Sequence, residues 1–166
     1  MFHYGQVTSA TLGGTLTVPT TTALGSVSGG TTVASLRSFS LKGDNQLDDG
    51  RWNGAKARRQ PTVGRRTMTL TADTEYDSTT GATLREAQLN QTDVGPIVIT
   101  LTGASLASGL NETLQVAIPS VKVDGGAIPM PSDDKTIVTS VNYKVLDNLT
   151  AAYPLYLVVR SLDTAA

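Results

Sequence analysis

The sequence predicts a mainly β protein, a β-sandwich or partly closed barrel of about seven strands with one flanking α-helix. Thr, Val, Ser and Gly dominate its 166 residues, a composition that favours short strands and turns over helices. Several segments alternate apolar and polar residues with a period of two, as strands with one buried face do. One segment, residues 79–91, is instead rich in helix formers.

The first 32 residues are predicted to form an N-terminal strand and a flexible arm or linker, separate from a β domain over residues 33–166. Residues 12–18 supply the strand. Residues 19–32 contain Thr20-Thr21-Thr22 and Gly29-Gly30 and are too polar to bury a face. We therefore expect the arm to lie outside the core.

Six strands of the β domain are predicted from the alternation of their side chains. In the clearest, residues 66–74, the apolar positions are Met68, Leu70 and Ala72. The other five predicted strands are residues 33–42, 96–102, 113–124, 135–146 and 154–163. Their number and short length are typical of a sandwich or barrel.

Two of these strands carry a more specific expectation. In residues 113–124 the alternation changes phase at Pro119-Ser120, which predicts a β-bulge or bend and incomplete pairing there. In residues 154–163 the apolar set is Leu155, Leu157 and Val159, which we expect to point into the core.

Residues 79–91 are predicted to form one helix of about three turns. The segment holds Leu84, Arg85, Glu86, Ala87, Gln88 and Leu89, all good helix formers. Its apolar stripe, Leu84 and Ala87 with Gln88 beside them, is narrow. We expect this helix to pack at the edge or on the outside of the sheets.

A long loop over residues 43–64 is predicted to carry function, because so long a connection is unusual in a compact domain. The basic residues in and just after it are Arg51, Lys56, Arg58, Arg59, Arg65 and Arg66. No acid lies between residues 51 and 66. This segment therefore carries a net charge of +6, and the rest of the chain carries −7, which gives the total of −1.

Three interpretations of this basic loop are open: it binds nucleic acid, it reaches the acidic surface of an identical neighbour, or it is solvated and has no partner. Trp52 is its one aromatic residue for base stacking, and the acidic body would repel DNA at close range. Contact with a neighbour would pair the basic loop of one copy with the acidic remainder of another, and we favour this interpretation.

An enzyme is not indicated, and no metal or cofactor is expected. The chain has no Cys, which excludes cysteine nucleophiles and thiolate zinc sites, and its one His is His3 near the terminus. Residues 44–50 resemble a calcium loop, but the glycine falls one place late and Ala55 stands where a Glu ligand would be needed. With no signal peptide and no apolar run long enough to span a bilayer, we expect a soluble protein made in a cytoplasm.

Diffuse motifs from residue 33 to 163 carry a resemblance to a known family. They include the strand VASLRSFSL at residues 33–41, the loop end RQPTVGRR at residues 59–66 and the strand GPIVITLTG at residues 95–103. With the helix and the later strands in the same order, the chain resembles the major tail tube proteins of long, non-contractile-tailed bacteriophages.

The resemblance implies a tail-tube-like fold and a structural role in the virion, with synthesis in the cytoplasm of the host bacterium. Family members form hexameric rings stacked into a hollow tube through which DNA passes. The implied partners are further copies of the chain, a tape measure protein, the tail-end proteins and, transiently and without sequence preference, DNA. No cofactor and no membrane span are implied.

Two sets of site residues follow as hypotheses. Contacts between subunits or rings are assigned to Arg51, Trp52, Lys56, Arg58, Arg59, Arg65 and Arg66. The lumen is predicted to be lined by Thr67, Thr69, Thr71, Asp73, Asp124 and Asn142. The alternatives are a ring-forming tail terminator of similar fold, or a β-sandwich surface module that binds carbohydrate, for which an aromatic content of 5% is low.

Overall fold

The computed structural model describes residues 7–34, 36–47, 65–75, 80–90, 92–107, 110–125, 138–147 and 149–161. Ten strands and one helix lie in these ranges. They are β1 (Val7–Leu12), β2 (Thr15–Thr17), β3 (Ser26–Ser28), β4 (Thr31–Thr32), β5 (Leu36–Asp44), β6 (Thr67–Glu75), α1 (Thr80–Asn90), β7 (Asp93–Ala107), β8 (Leu110–Val123), β9 (Val138–Val145) and β10 (Tyr156–Arg160).

Eight of the strands form one antiparallel sheet that does not close. Its order is β4-β1-β7-β8-β9-β6-β5, and β10 pairs with β8 beside β9. The strand β8 is long enough to serve two partners on one side: β10 pairs with residues 113–117 and β9 with residues 121–123. The mainly β class with one helix, predicted from the alternation, is confirmed.

The sheet folds back on itself into two facing layers. One layer contains β1, β7, β10 and the first half of β8; the other contains β5, β6, β9 and the end of β8. Side chains of both layers, among them Ile97, Ile99, Leu70 and Tyr143, meet in one apolar cluster. Burying one such large side chain stabilises the fold by about 1.5–3 kcal/mol.

The predicted bulge in β8 is present. Gly95 of β7 pairs with Val121, whereas Ile97 pairs with Ile118, so β8 holds one more residue than β7 over this stretch. The extra residue shifts the alternation and keeps both Ile118 and Val121 fully buried. The bend lies where β8 passes from one layer to the other.

The helix also agrees with its prediction. Both of its ends lie within one residue of the predicted bounds, 79–91. The side chains of Leu84 and Ala87 are buried, and the helix contacts β7 and β8. Leu89 is exposed on its outer side.

Residues 19–32 differ from the expected arm. They contain β3 and β4, which pair with β2 and β1, and Gly25 is buried. The backbone N–H of Gly25 donates to Gln115 Oε1 over 2.7 Å, and Gln115 Nε2 donates back to Gly25 O over 3.0 Å. Hydrogen bonds to a buried glutamine therefore hold this polar segment against the sheet. The division of domains at residue 32 stays a prediction.

The expectation for the last strand is wrong in part. Leu155 packs against the core, but Leu157 and Val159 are 61% and 60% exposed. They lie opposite Val116 and Leu114, so they continue the interior face of their layer. The second layer pairs with β8 at residues 121–123, beyond the part of β8 that pairs with β10, and it does not cover Leu157 and Val159.

Candidate assembly and lumen surfaces

One face of the second layer is polar and is called here the polar sheet face. It follows from the strict alternation of β6, whose even-numbered residues 70, 72 and 74 are buried against the core. The strand register then sets the face, which comprises Ser38, Ser40, Lys42, Asp44, Thr67, Thr69, Thr71, Asp73, Glu75, Ser140, Asn142 and Lys144, with Val138 at its end opposite Glu75.

Asp73 joins three strands at the middle of this face. Its carboxylate accepts a hydrogen bond from Ser140 Oγ on β9 over 2.5 Å and another from Ser38 Oγ on β5. These two donors, Ser140 first, favour the ionised carboxylate and hold the pKa of Asp73 below its usual value, against a smaller opposing effect of burial. Asp73 therefore carries a negative charge at neutral pH.

Two further contacts order the polar sheet face. Thr71 Oγ1 donates to Asn142 Oδ1 over 2.9 Å, between directly paired residues of β6 and β9. At the end of β6, Glu75 forms an ion pair with Arg37, with 2.6 Å between Arg37 Nη2 and Glu75 Oε1. Both side chains are about half exposed, so the pair adds little stability but neutralises the charge of Glu75.

Three lysines lie in a single cross-strand row, called here the lysine row. Lys42 of β5 and Lys144 of β9 both pair with Thr69 of β6, and Lys144 pairs with Lys122 of β8. Asp93 of β7 pairs with Lys122 and ends the row. Among the described residues, the one ion pair is Arg37–Glu75, and none of the three lysines takes part in it.

Five of the six residues predicted to line the lumen lie on one face of the sheet. Thr67, Thr69, Thr71, Asp73 and Asn142 share the polar sheet face, and the N–H of Asp124 donates to Asn142 O just beyond β8. Arg65 and Arg66 are exposed immediately before β6. The remaining predicted contact residues, Arg51, Trp52, Lys56, Arg58 and Arg59, lie outside the described residues.

Sequence reasoning missed the lysine row and the uncovered apolar surface at β10. The lysines are 80 to 102 residues apart from Lys42 along the chain, and only strand pairing brings them together. The surface at β10, called here the β10 apolar surface, consists of Leu157 and Val159.

In the part of the chain that is described, no group of three or more His, Asp or Glu side chains could hold a metal ion. The 11-residue helix α1, the one helix in the described ranges, is neither long nor apolar enough to cross a membrane.

The fold has a counterpart among solved structures. The chain is similar in fold to a chain of a structure described as "Virion of native gene transfer agent (GTA) particle", with a TM-score of 0.50 and 11% identity over 78% of this chain and 88% of that one. At 11% identity, this likeness is one of fold.

The family follows from the sequence itself. The model of the phage tail tube protein family matches residues 3–145, and the chain belongs to that family. No curated protein matches the chain. The predicted family, the structural role and the location in the virion, in the phage tail, are confirmed.

Proposed function

We propose that the protein is the repeating subunit of a phage tail tube, in which hexameric rings of identical chains stack into a hollow conduit for DNA during genome delivery. The observation that carries the assembly step is the β10 apolar surface. Leu157 and Val159 continue an interior face that the chain's own second layer leaves uncovered. Exposed apolar surface next to an open strand is typical of protein interfaces.

Open strand edges support the same proposal. Within the described ranges, β5 pairs on one side with β6, and β10 on one side with β8. Unpaired backbone groups at such edges are satisfied when a neighbouring chain adds a strand. A contact between two different surfaces of the same chain propagates, and it closes into a ring or grows into a filament.

The polar sheet face is proposed to line the lumen. The rows through Thr69, Thr71 and Asp73 hold hydroxyl, amide, ammonium and carboxylate groups and present no large apolar side chain to a passing polymer. The basic loop of residues 43–64 is proposed to bridge to adjacent subunits or rings. Arg65 and Arg66 directly follow this loop and are exposed, so they are accessible to an adjacent subunit.

Negative-stain microscopy of the purified protein across salt concentrations tests the function. Long hollow rods are expected. Single rings that do not grow would favour the tail terminator instead, and a monomer at every salt concentration would favour a surface-binding module. A map of assembled tubes that places Thr69 and Thr71 away from the channel would reject the lumen assignment.

A further inference from the structure

The lysine row breaks a rule that the rest of the polar sheet face obeys. Like charges directly opposite each other on paired strands, as Lys144 and Lys122 are, destabilise a sheet. The three acids of this face have partners: Asp73 accepts from two serines, Glu75 pairs with Arg37, and Asp44 Oδ1 accepts from the backbone N–H of Gln46. The lysines have no such ion pair among the described residues, and a local violation of this kind is expected at functional sites.

The geometry of the row suits a linear polyanion. Adjacent strands lie about 4.8 Å apart, so Lys122, Lys144 and Lys42 span three neighbouring strand gaps, roughly 14 Å. Lys42 and Lys144 are exposed and Lys122 is half-buried. Thr69, between two of the lysines, adds a hydroxyl donor in the same row.

The charge of Asp73 is separated from the lysine row along the strands. Asp73 lies four residues from Thr69 on β6, about 13 Å away at the usual rise of a strand. This distance exceeds the Debye length of about 8 Å in physiological salt, so Asp73 does not cancel the field of the row. Two acids are nearer, Asp93 opposite Lys122 and Asp44 two residues beyond Lys42, and they offset part of the charge at the two ends of the row; Lys144 lies between these ends.

We infer that the lysine row is a phosphate-binding site that contacts the backbone of nucleic acid without reading its sequence. Protein partners anchor through buried apolar or aromatic side chains, and the rows from Thr69 to Asp73 offer none. Ammonium and hydroxyl groups on a flat strand face suit phosphate oxygens. The inference deepens the proposed function, since it places a weak cationic contact in a lumen otherwise lined by hydroxyl, amide and carboxylate groups.

Salt-dependent binding to a fluorescein-labelled DNA duplex of about 20 base pairs measures this contact, at a dilution where sedimentation shows single subunits. Each phosphate contact contributes about −0.9 to the slope of log K against log salt. Lys122→Gln with Lys144→Gln should make the slope less steep by about 1.8, and Lys42→Gln alone by about 0.9. Amide resonances of residues 69, 122 and 144 should shift on DNA addition to the wild-type protein.

The matched control is Arg85→Gln with Arg160→Gln, which changes the net charge equally but lies on α1 and β10, away from the row. Its slope should stay close to that of the wild-type protein. Equal slopes for the two double variants would overturn the inference. Polyglutamate that competes as well as DNA at equal charge would overturn it too, in favour of an acidic protein segment.

Failure of this inference can be told from failure of the proposed function. Tubes in the microscope together with equal slopes would remove the phosphate site alone. A protein that forms no tubes, yet loses salt dependence with the lysines, would keep the phosphate site and remove the tube subunit.

Discussion

Ser140 on β9 lies directly opposite Asp73 on β6, and its Oγ donates a hydrogen bond to Asp73 Oδ1 over 2.5 Å. Ser38 donates to the other carboxylate oxygen from β5. The strands β5, β6 and β9 of the polar sheet face are thus linked by side chains as well as by their backbones. Because the ionised carboxylate is the better acceptor, the link depends on pH.

Replacing Asp73 with Asn should lower the free energy of unfolding at pH 7 by about 1 kcal/mol, allowing for solvent screening at a partly exposed site. The folded-state pKa is depressed, so this contribution is present above the unfolded pKa of about 3.9 and is lost as the pH falls through the folded value. Urea unfolding at pH 7 and at decreasing pH measures it.

The difference between wild type and Asp73→Asn should therefore shrink in acid. The exposed Asp124→Asn, just beyond β8, is the control and should change stability little at either pH. A constant difference across the pH range would contradict a role for the ionised carboxylate.

Gln115 is 2% exposed, and it bonds both Gly25 and Thr100. Gln115→Leu would leave the buried N–H and C=O of Gly25 without partners and should cost about 2–4 kcal/mol. Thermal unfolding, with amide exchange at Gly25 and Val27, should show residues 15–28 released first. Thr100→Val removes one of the three bonds and should cost about 1 kcal/mol; equal losses from the two variants would count against this contact as the anchor of the segment.

Gly14 and Gly29 both have positive φ, at 82° and 74°, but their surroundings differ. A Cβ on Gly14 would lie 2.5 Å from Ser28 O and 2.6 Å from Gly30 N, whereas a Cβ on Gly29 would meet nothing within 4 Å. Gly29→Ala should cost about 1 kcal/mol for its backbone conformation. Gly14→Ala should cost at least about 2 kcal/mol more by urea unfolding, and similar values would contradict the close approach.

Leu157→Lys on the β10 apolar surface should abolish self-association and leave the fold intact. The side chain is largely exposed in the single chain, so the free energy of unfolding should change by less than about 0.5 kcal/mol. Leu89→Lys, on a side chain 72% exposed on α1, is the matched control and should assemble normally. Sedimentation velocity and negative-stain microscopy measure the outcome, and normal tubes from Leu157→Lys would exclude β10 from the interface.

Arg58→Glu together with Arg59→Glu should stop polymerisation while the single chain stays folded. The reversal removes the proposed attraction between the basic loop and the acidic body of a neighbour. Arg85→Glu, on the exposed surface of α1, serves as the control. Circular dichroism and microscopy of the same samples separate loss of assembly from loss of folding, and tubes of normal length from the double variant would defeat the bridging role.

Local patterns explain what could be predicted. Met68, Leu70 and Ala72 alternate with polar residues, and a period of two has one structural meaning in a chain poor in helix formers. The phase change at Pro119 marked the bulge in β8, and Leu84 with Ala87 marked the buried side of α1. Each of these signals lies within a few residues of the feature it predicts.

Other features escaped because their causes are distant in the chain. Alternation placed Leu157 and Val159 inward, correctly for the face of the strand, but whether a second layer covers that face depends on where β9 joins β8. Polar residues 19–32 read as an arm because their anchor, Gln115, lies 90 residues from Gly25.

The sequence by itself determined the mainly β class, the two faces of β6, the single helix and the resemblance to the tail tube family, since each depends on residue order over short spans or on a pattern of elements. The tertiary structure alone decided which side chains share a surface. Strand pairing aligned Lys42, Lys144 and Lys122, and the extent of the second layer left Leu157 exposed. Register and coverage are set by contacts between distant segments, and alternation within one strand carries no information about its partner.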